Sequence, residues 1–283
     1  MQIFREKSPL QHEISTLKRE GNSVGFVPTM GALHLGHLSL VKQASAICDT
    51  VVVSIFINPT QFDNPEDLRD YPRTLENDFS LLESLNLKLI VFAPNAYELY
   101  GDKVEAENLI FDGLENEMEG KFRTGHFNGV GTVVKKLFEI VQPDKAFFGE
   151  KDYQQLQIIK KLTEKYSLPV EIIGCPIDRE ISGLARSSRN ERLSPEVRKD
   201  ASFIFDILKK VKEKFGTDNA KTINQWVKDQ FEDHPVLKLE YFEIADIVSL
   251  KTVEEKQEGV QYRAFIAAFA GDVRLIDNIA LNN

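Results

Sequence analysis

Short apolar runs alternate with stretches of helical periodicity over the first 175 residues of the chain. Residues 50–57 form an almost continuous apolar run, which is typical of a strand covered on both faces of a sheet. Residues 36–47 instead repeat apolar side chains at three- and four-residue spacing, which indicates a helix. The same patterns predict strands at 23–27, 88–92, 145–148 and 170–173, and helices at 75–87, 130–141 and 153–166. Strands separated by helices of this size favour right-handed crossovers, so we predict an α/β domain with a parallel sheet over residues 1–175.

The pattern changes after residue 175. A polar segment rich in Gly, Ser and Arg covers 176–194, and amphipathic helices follow at about 196–215 and 222–231. Two β-rich stretches come next, at 237–245 and 262–270. We therefore predict a smaller α+β domain over residues 176–283.

Composition and charge narrow the class of protein. The 283 residues carry 35 Lys and Arg against 44 Asp and Glu, a formal net charge of −9. This balance argues against a nucleic-acid-binding protein, because a phosphate backbone demands excess basic residues. No apolar run approaches the roughly 18 residues of a membrane span, and the first residues lack the apolar core of a secretory signal. Two cysteines in unrelated contexts exclude a disulfide framework, so we expect a cytoplasmic protein.

The first predicted strand leads into the sequence PTMGALHLGH, residues 28–37. Ligands of parallel α/β sheets bind at the carboxyl ends of strands, and a helix that begins there offers N–H groups to a phosphate. Gly31 and Gly36 allow the backbone to approach phosphate oxygens closely. His34 and His37 share the first helical turn and can donate hydrogen bonds to charge that develops on phosphates. The alternative is one core histidine and one helix cap.

Asn58 and Gln61 follow the strand at 50–57 and face the same edge of the predicted sheet. Neutral amides suit a small hydroxy acid, because they can donate to its carboxylate and hydroxyl without neutralising it as a nucleophile. The alternative is a simple turn, since Asn-Pro is a common turn pair.

The motif GEKD, residues 149–152, repeats the strand–Gly–helix arrangement after the strand at 145–148. Lys151 would place a positive charge near phosphates. Asp152 could cap the helix, bind a ribose hydroxyl or assist Mg²⁺. Gln155 lies one helical turn after Lys151.

The His-x-Gly-His pattern is typical of the nucleotidyltransferase superfamily, whose domains are Rossmann-like, and the longer string VPTMGALHLGHLSLV resembles the pantothenate synthetase (pantoate–β-alanine ligase) family. The resemblance continues in the family's order and covers about residues 23–195, whereas the last hundred residues match mainly in length. The strings that carry it are FINPTQF at 56–62, YPRT at 71–74, FFGEKDYQQL at 147–156 and SSRN at 187–190.

The resemblance implies an AMP-forming ligase of coenzyme A biosynthesis. Pantoate would attack the α-phosphorus of Mg-ATP to give pantoyl-adenylate, and the amine of β-alanine would then displace AMP to give pantothenate. The second domain would act as a lid hinged near residue 176, and the resemblance implies a homodimer. Catalysis would involve His34, His37 and Lys151, and the small acids would bind at Asn58, Gln61 and Gln155. The residues expected to bind ATP are Met30, Gly31, Ala32, Leu33, His34, Leu35, Gly36, His37, Gly149, Glu150, Lys151, Asp152, Asp178, Arg186, Ser187, Ser188 and Arg189.

Several positions leave alternatives open. Arg186 stands where the family often has an apolar residue, and either touches phosphate or points to water. Asp178 stands where a backbone contact to adenine is expected. Asp78 is a candidate Mg²⁺ ligand, and the alternative is a solvated helix face. His126 either supports the site or contacts pantoate.

Two other functions share the motif. A nucleotidyltransferase that joins AMP to a phosphorylated acceptor would need extra basic residues, and the neutral set Asn58, Gln61 and Gln155 counts against it. A non-catalytic nucleotide-binding module is disfavoured by intact His34, His37 and Lys151.

Overall fold

The computed structural model describes residues 1–282. These residues form two compact units. The first comprises Met1–Glu150 and Gln155–Pro176, and the second comprises Lys151–Gln154 and the chain from Ile177 onward.

The first unit is built on a six-stranded sheet in the order β1-β4-β3-β2-β5-β6, in which every neighbouring pair is parallel. The strands are β1 Gln2–Phe4, β2 Val24–Thr29, β3 Thr50–Ile55, β4 Leu89–Phe92, β5 Lys145–Gly149 and β6 Glu171–Cys175. The helices up to residue 165 are α1 Lys7–Arg19, α2 Leu35–Ser45, α3 Pro65–Asp70, α4 Leu75–Glu83, α5 Ala96–Tyr100, α6 Glu119–Phe122, α7 His126–Val141 and α8 Tyr153–Lys165. This architecture confirms the predicted α/β parallel-sheet class.

The core of this unit explains why the central strands read as apolar. Every residue of β3 is buried, because β3 lies inside the sheet and both its faces are covered. Helix α2 contributes Leu38, Val41 and Ala44 to the same core. From β2 the chain passes through α2 to β3 on one side, while β5 joins β2 on the other side. The carboxyl ends of β2 and β5 therefore flank the switch point at which such sheets bind ligands.

The second unit contains the antiparallel sheet β7-β8-β9. Its strands are β7 Leu237–Asp246, β8 Tyr262–Ala270 and β9 Val273–Ala280, and its helices are α9 Pro195–Asp200, α10 Phe203–Phe215 and α11 Ala220–Glu232. The apolar faces of α10 and α11 share one hydrophobic core with the sheet. This confirms the predicted α+β character.

Some elements differ from the sequence prediction. Strand β2 continues through Pro28. Beyond Phe26 it pairs with β3 alone, so proline, which lacks a backbone N–H, is tolerated on the side that has no partner strand. The single helix predicted at 196–215 is two helices, α9 and α10. The patterns did not predict β1, α1 or β9. The sequence of β9, VRLIDNIA, has neither a continuous apolar run nor a strict alternation of polar and apolar residues.

Candidate active site

The loop between β2 and α2 has an unusual backbone. Gly31 (φ 82°) and Ala32 (φ 49°) both lie in the left-handed region, which costs a non-glycine residue roughly 1 kcal/mol. A Cβ atom on Gly31 would lie 3.0 Å from Oδ2 of Asp78 and 3.2 Å from the Ile55 side chain. The close approach of Asp78 and the positive φ together favour glycine at position 31.

Asp78, on α4, holds this loop in place. Its Oδ2 accepts the N–H of Ala32 at 3.0 Å, and its Oδ1 accepts the N–H of Leu33 at 2.8 Å. The Thr74 hydroxyl donates to Oδ1 at 3.1 Å. Asp78 is only 1% exposed, so the expectation of a solvated helix face is wrong. Because both oxygens face the loop, this geometry lends no support to Asp78 as an Mg²⁺ ligand, and that assignment stays a prediction.

His34 and His37 cap the start of α2 reciprocally. Nδ1 of His34 accepts the N–H of Gly36 at 3.2 Å, and Nδ1 of His37 accepts the N–H of His34 at 3.3 Å. A ring nitrogen that accepts an N–H carries no proton, so each neutral imidazole carries its proton on Nε2. Both rings are half-buried, with their centroids 4.1 Å apart. The contact that caps the helix therefore also sets the tautomer, so capping and chemistry are compatible roles for these residues.

The loop N–H groups expected to bind phosphate already donate within the protein. The five amides and their side-chain acceptors are Gly31 to Thr29, Ala32 and Leu33 to Asp78, His34 to His37, and Gly36 to His34. An N–H that already has a strong acceptor is a poor phosphate ligand. The imidazole Nε2–H groups are further donors at the same loop, and the amide cradle for phosphate stays a prediction.

Asn58 and Gln61 lie just beyond β3, at the ends of a short 3₁₀ turn, Pro59–Gln61, and both are buried. Nδ2 of Asn58 donates to Oε1 of Gln61 and to the carbonyl of Gly129, both at 3.1 Å. Nε2 of Gln61 lies 2.8 Å from Sδ of Met30. This last contact joins the segment after β3 to the loop after β2, as expected for neighbouring parallel strands.

His126 supports the same segment from the start of α7. Its Nδ1 lies 2.8 Å from the carbonyl oxygen of Gln61, and its Nε2 lies 3.1 Å from a guanidinium nitrogen of Arg123. Arginine only donates, so Nε2 accepts and Nδ1–H donates to the carbonyl. The ring is 6% exposed, and both contacts fit the supporting role among the two that the sequence left open.

The end of β5 supplies the other part of the site in the first unit. Gly149 is half-buried, and a Cβ built on it would meet no atom within 4 Å. Glu150 follows it in a 3₁₀ turn, and Gln155 is half-buried on α8.

The remaining GEKD residues belong to the second unit. The Lys151 carbonyl accepts the Nδ2–H of Asn278 at 2.8 Å. The ammonium group of Lys151 lies 3.8 Å from the carboxylate of Asp152, an exposed residue. No contact separates the three roles considered for Asp152.

The segment that contains Ser187 folds back on itself as a hairpin rather than running as an extended linker. Residues 179 and 185 form an isolated antiparallel bridge. The N–H of Arg186 donates to the carbonyl of Asp178 at 3.1 Å, and their side chains form an ion pair at 2.8 Å. Arg186 and Asp178, whose side-chain contacts the sequence left open, thus pair with each other. Ser187 caps the following 3₁₀ turn by accepting the N–H of Arg189 at 3.2 Å.

Neither a metal cluster nor a membrane span occurs in the part of the chain that the structure describes. Residues 1–282 contain no group of three or more His, Cys, Asp or Glu side chains arranged to hold a metal ion. Within the same residues, no helix combines the length and apolar character that crossing a bilayer requires.

Three supporting contacts around this site were not predicted from the sequence: the hydrogen bonds of Asp78 to the 30–34 loop, the Tyr100 hydroxyl on Asn58, and the packing of Gly129 against the 3₁₀ turn. Each joins segments more than 40 residues apart. The string YPRT-x₃-Asp gave a partial signal for the first, since Thr74 and Asp78 are one helical turn apart. No local signal marked the other two.

Comparison with known proteins gives a consistent result. Residues 2–280 match the family model described as pantoate-beta-alanine ligase. The chain is 62% identical over 283 residues to the pantothenate synthetase of Christiangramia forsetii, covering 100% of both chains. It is 50% identical over 281 residues to that of Flavobacterium psychrophilum, covering 99% of this chain and 100% of that one.

Solved structures agree. The crystal structure of pantothenate synthetase from Thermus thermophilus matches with a TM-score of 0.91 and 38% identity, covering 100% of both chains. The pantoate-beta-alanine ligase of Francisella tularensis, crystallised with a β,γ-ATP ligand and β-alanine, matches with a TM-score of 0.77 and 35% identity over 100% of this chain and 98% of that one.

Proposed function

The chain belongs to the pantoate-beta-alanine ligase family, and from this premise we propose that its candidate active site makes pantothenate from ATP, pantoate and β-alanine through a pantoyl-adenylate. The observation that carries the proposal is the reciprocal capping of His34 and His37. It orients two Nε2–H donors at the end of β2, while Gln61 touches the same loop through Met30. The imidazole donors proposed for phosphate and the amide proposed for the small acid thus lie at the same edge of the sheet.

In the first step, a carboxylate oxygen of pantoate attacks the α-phosphorus of ATP, and pyrophosphate leaves in line. Negative charge shifts onto the bridging oxygen between the α- and β-phosphates as it leaves. The Nε2–H groups of His34 and His37 are proposed to donate to the phosphate oxygens on which this charge develops. Asn58, Gln61 and Gln155 would hold the acid so that the two anions react as an assembled pair.

In the second step, the neutral amine of β-alanine attacks the acyl carbon, and AMP leaves with the electrons of the broken acyl–oxygen bond. As the amide forms, the β-alanine nitrogen loses one proton to solvent, and before the attack its ammonium form must lose another to a base. Nδ1 of His37 accepts the His34 N–H, so His37 could take this proton only by giving up that contact or its Nε2 proton. This makes His37 a better donor to phosphate than a base.

The residues of the second unit enter the proposal through their motifs. Lys151 supplies a positive charge, and Ser187, Ser188 and Arg189 supply hydroxyl and guanidinium donors for phosphates. Mg²⁺ is proposed to arrive as part of the substrate, Mg-ATP, which needs few protein carboxylates. A cytoplasmic homodimer completes the proposal, on the family resemblance.

Pantoate-dependent exchange of pyrophosphate into ATP tests the first step alone. The parent protein should exchange only when pantoate is present. His37→Ala should lower the rate about 100-fold or more, the usual effect of removing one transition-state donor. His12→Ala, which changes an exposed histidine of α1, should keep the parental rate. Exchange that requires a phosphorylated acceptor instead of pantoate would overturn the proposal.

A further inference from the structure

A chain of hydrogen bonds links Tyr100 to the buried amides of Asn58 and Gln61. The Tyr100 hydroxyl lies 2.6 Å from Oδ1 of Asn58. Nδ2 of Asn58 in turn donates to Oε1 of Gln61 at 3.1 Å. Tyr100 ends the short helix α5 and is half-buried, whereas Asn58 is 1% exposed.

Backbone groups fix which way the Asn58 amide points. Its Oδ1 receives the N–H of Thr60 at 3.4 Å, and its Nδ2 faces the carbonyl oxygen of Gly129 at 3.1 Å. A backbone N–H can only donate and a carbonyl can only accept, so the two ends of the amide are unambiguous. In its contact with Oδ1 the Tyr100 hydroxyl is therefore the donor, and the Thr60 hydroxyl donates to the same Oδ1 at 3.0 Å.

This polarity passes on to Gln61. Its Oε1 is used as the acceptor for Asn58, so its other end, Nε2, is the end directed at the loop after β2. There it meets the thioether of Met30, which is a weak acceptor. A carboxylate or hydroxyl oxygen of a bound acid is a much stronger partner for the same N–H.

We propose that Tyr100 is a positioning residue that holds the Asn58 amide in the direction its backbone partners set, so that Gln61 presents an N–H donor to the oxygen atoms of the acid substrate. The inference rests on the proposed function and deepens it. Tyr100 acts through Asn58 and Gln61 and does not itself touch the substrate.

The state of the Tyr100 phenol is consistent with this role. Burial raises the pKa of the Tyr100 phenol above its ordinary value. The phenol thus stays protonated at neutral pH and keeps its proton for Oδ1. The Lys136 ammonium lies 5.4 Å from the ring centroid and Phe56 packs at 6.3 Å, so the ring is held on two further sides.

Tyr100→Phe removes the hydroxyl and keeps the ring. We expect KM for pantoate to rise about five- to tenfold, the usual effect of losing one buried hydrogen bond. KM for ATP should change less than about twofold, because the histidine loop keeps its own contacts. Tyr97→Phe is the matched control: Tyr97 lies on the same short helix and is 64% exposed, so its kinetics should equal those of the parent.

A double-mutant cycle separates positioning from a general loss of structure. In a Gln61→Ala background, Tyr100→Phe should add almost no further loss in KM for pantoate, because the group it orients is gone. Full additivity, or an unchanged KM in the single variant, overturns the inference. Equal rises in the KM values for ATP and pantoate overturn it as well.

The same measurements keep this inference distinct from the proposed function. If the parent shows no pantoate-dependent exchange, or if Gln61→Ala leaves KM for pantoate unchanged, the site assignment itself fails. If both behave as expected and only Tyr100→Phe leaves KM for pantoate unchanged, the positioning role of Tyr100 alone is wrong. Thermal midpoints of all variants should lie within a few degrees of the parent, which excludes unfolding as the cause.

Discussion

Replacing Asp78 tests whether a carboxylate braces the loop that carries the two histidines. In Asp78→Ala, the N–H groups of Ala32 and Leu33 lose their acceptor. Each hydrogen bond to a charged group contributes about 1.5–3 kcal/mol, so we expect the loss of these two to cost about 3–6 kcal/mol of stability. Asp78→Asn keeps one acceptor but turns an NH₂ group toward the other N–H, which gives about half that loss.

Thermal melting without ligand measures this effect directly. For a chain of this size, 1 kcal/mol corresponds to a shift of roughly 2–4 °C in the midpoint. The expected order of destabilisation is Asp78→Ala, then Asp78→Asn, then Thr74→Val, which removes only one donor to Oδ1. Glu76→Gln is the control, because Glu76 is an exposed acid on the same helix.

The steady-state constants add a second readout. Moving residues 31–33 displaces His34, so KM for ATP should rise in Asp78→Asn while the Mg²⁺ concentration needed for half-maximal activity stays the same. The opposite result, an unchanged thermal midpoint together with a raised Mg²⁺ requirement, would mean that Asp78 is a metal ligand and that the bracing argument is wrong.

Three further predictions concern packing, pH and thiol reactivity. A Cβ at Gly129 would lie 2.2 Å from the Thr60 carbonyl oxygen, so Gly129→Ala should lower kcat/KM for pantoate by roughly tenfold or more. In the control Gly216→Ala the nearest atom to the new Cβ would be 3.4 Å away, so its kcat/KM should equal that of the parent. Equal kinetics of the two variants would refute the packing argument. Burial tends to raise the pKa of Glu180, but hydrogen bonds from Arg198 and Asn190 outweigh it and leave the pKa below its usual value. The stability that Glu180 contributes is therefore complete above the ordinary glutamate pKa and is lost as the pH falls through the lowered value, so Glu180→Gln should reduce the fall of the thermal midpoint below about pH 4. Burial raises the pKa of Cys175 to about 11, so at pH 8 about one thousandth is thiolate; iodoacetamide should label this thiol in concentrated guanidinium but not in the folded protein, and rapid labelling of the folded protein would contradict this.

The sequence by itself determined the class of fold and the position of the main motif. Residues 50–57 were predicted as a strand buried on both faces because almost all of them are apolar, and every residue of β3 is indeed buried. The start of the helix near residue 35 was predictable for a similar reason, since capping involves residues within one turn of each other. These features were predictable because side-chain periodicity and capping act over a few residues.

Only the tertiary structure decided what the loop amides do and which way the buried amides point. Asp78 reaches its loop partner across 46 positions, and Tyr100 reaches Asn58 across 42. The sequence suggested amides open to phosphate, yet a buried carboxylate from another helix occupies two of them. The pairing of Arg186 with Asp178 likewise depends on a hairpin that brings the two residues together. Hydrogen bonds have direction, and the direction is set by the partners that folding supplies, which residue types and spacing alone do not specify.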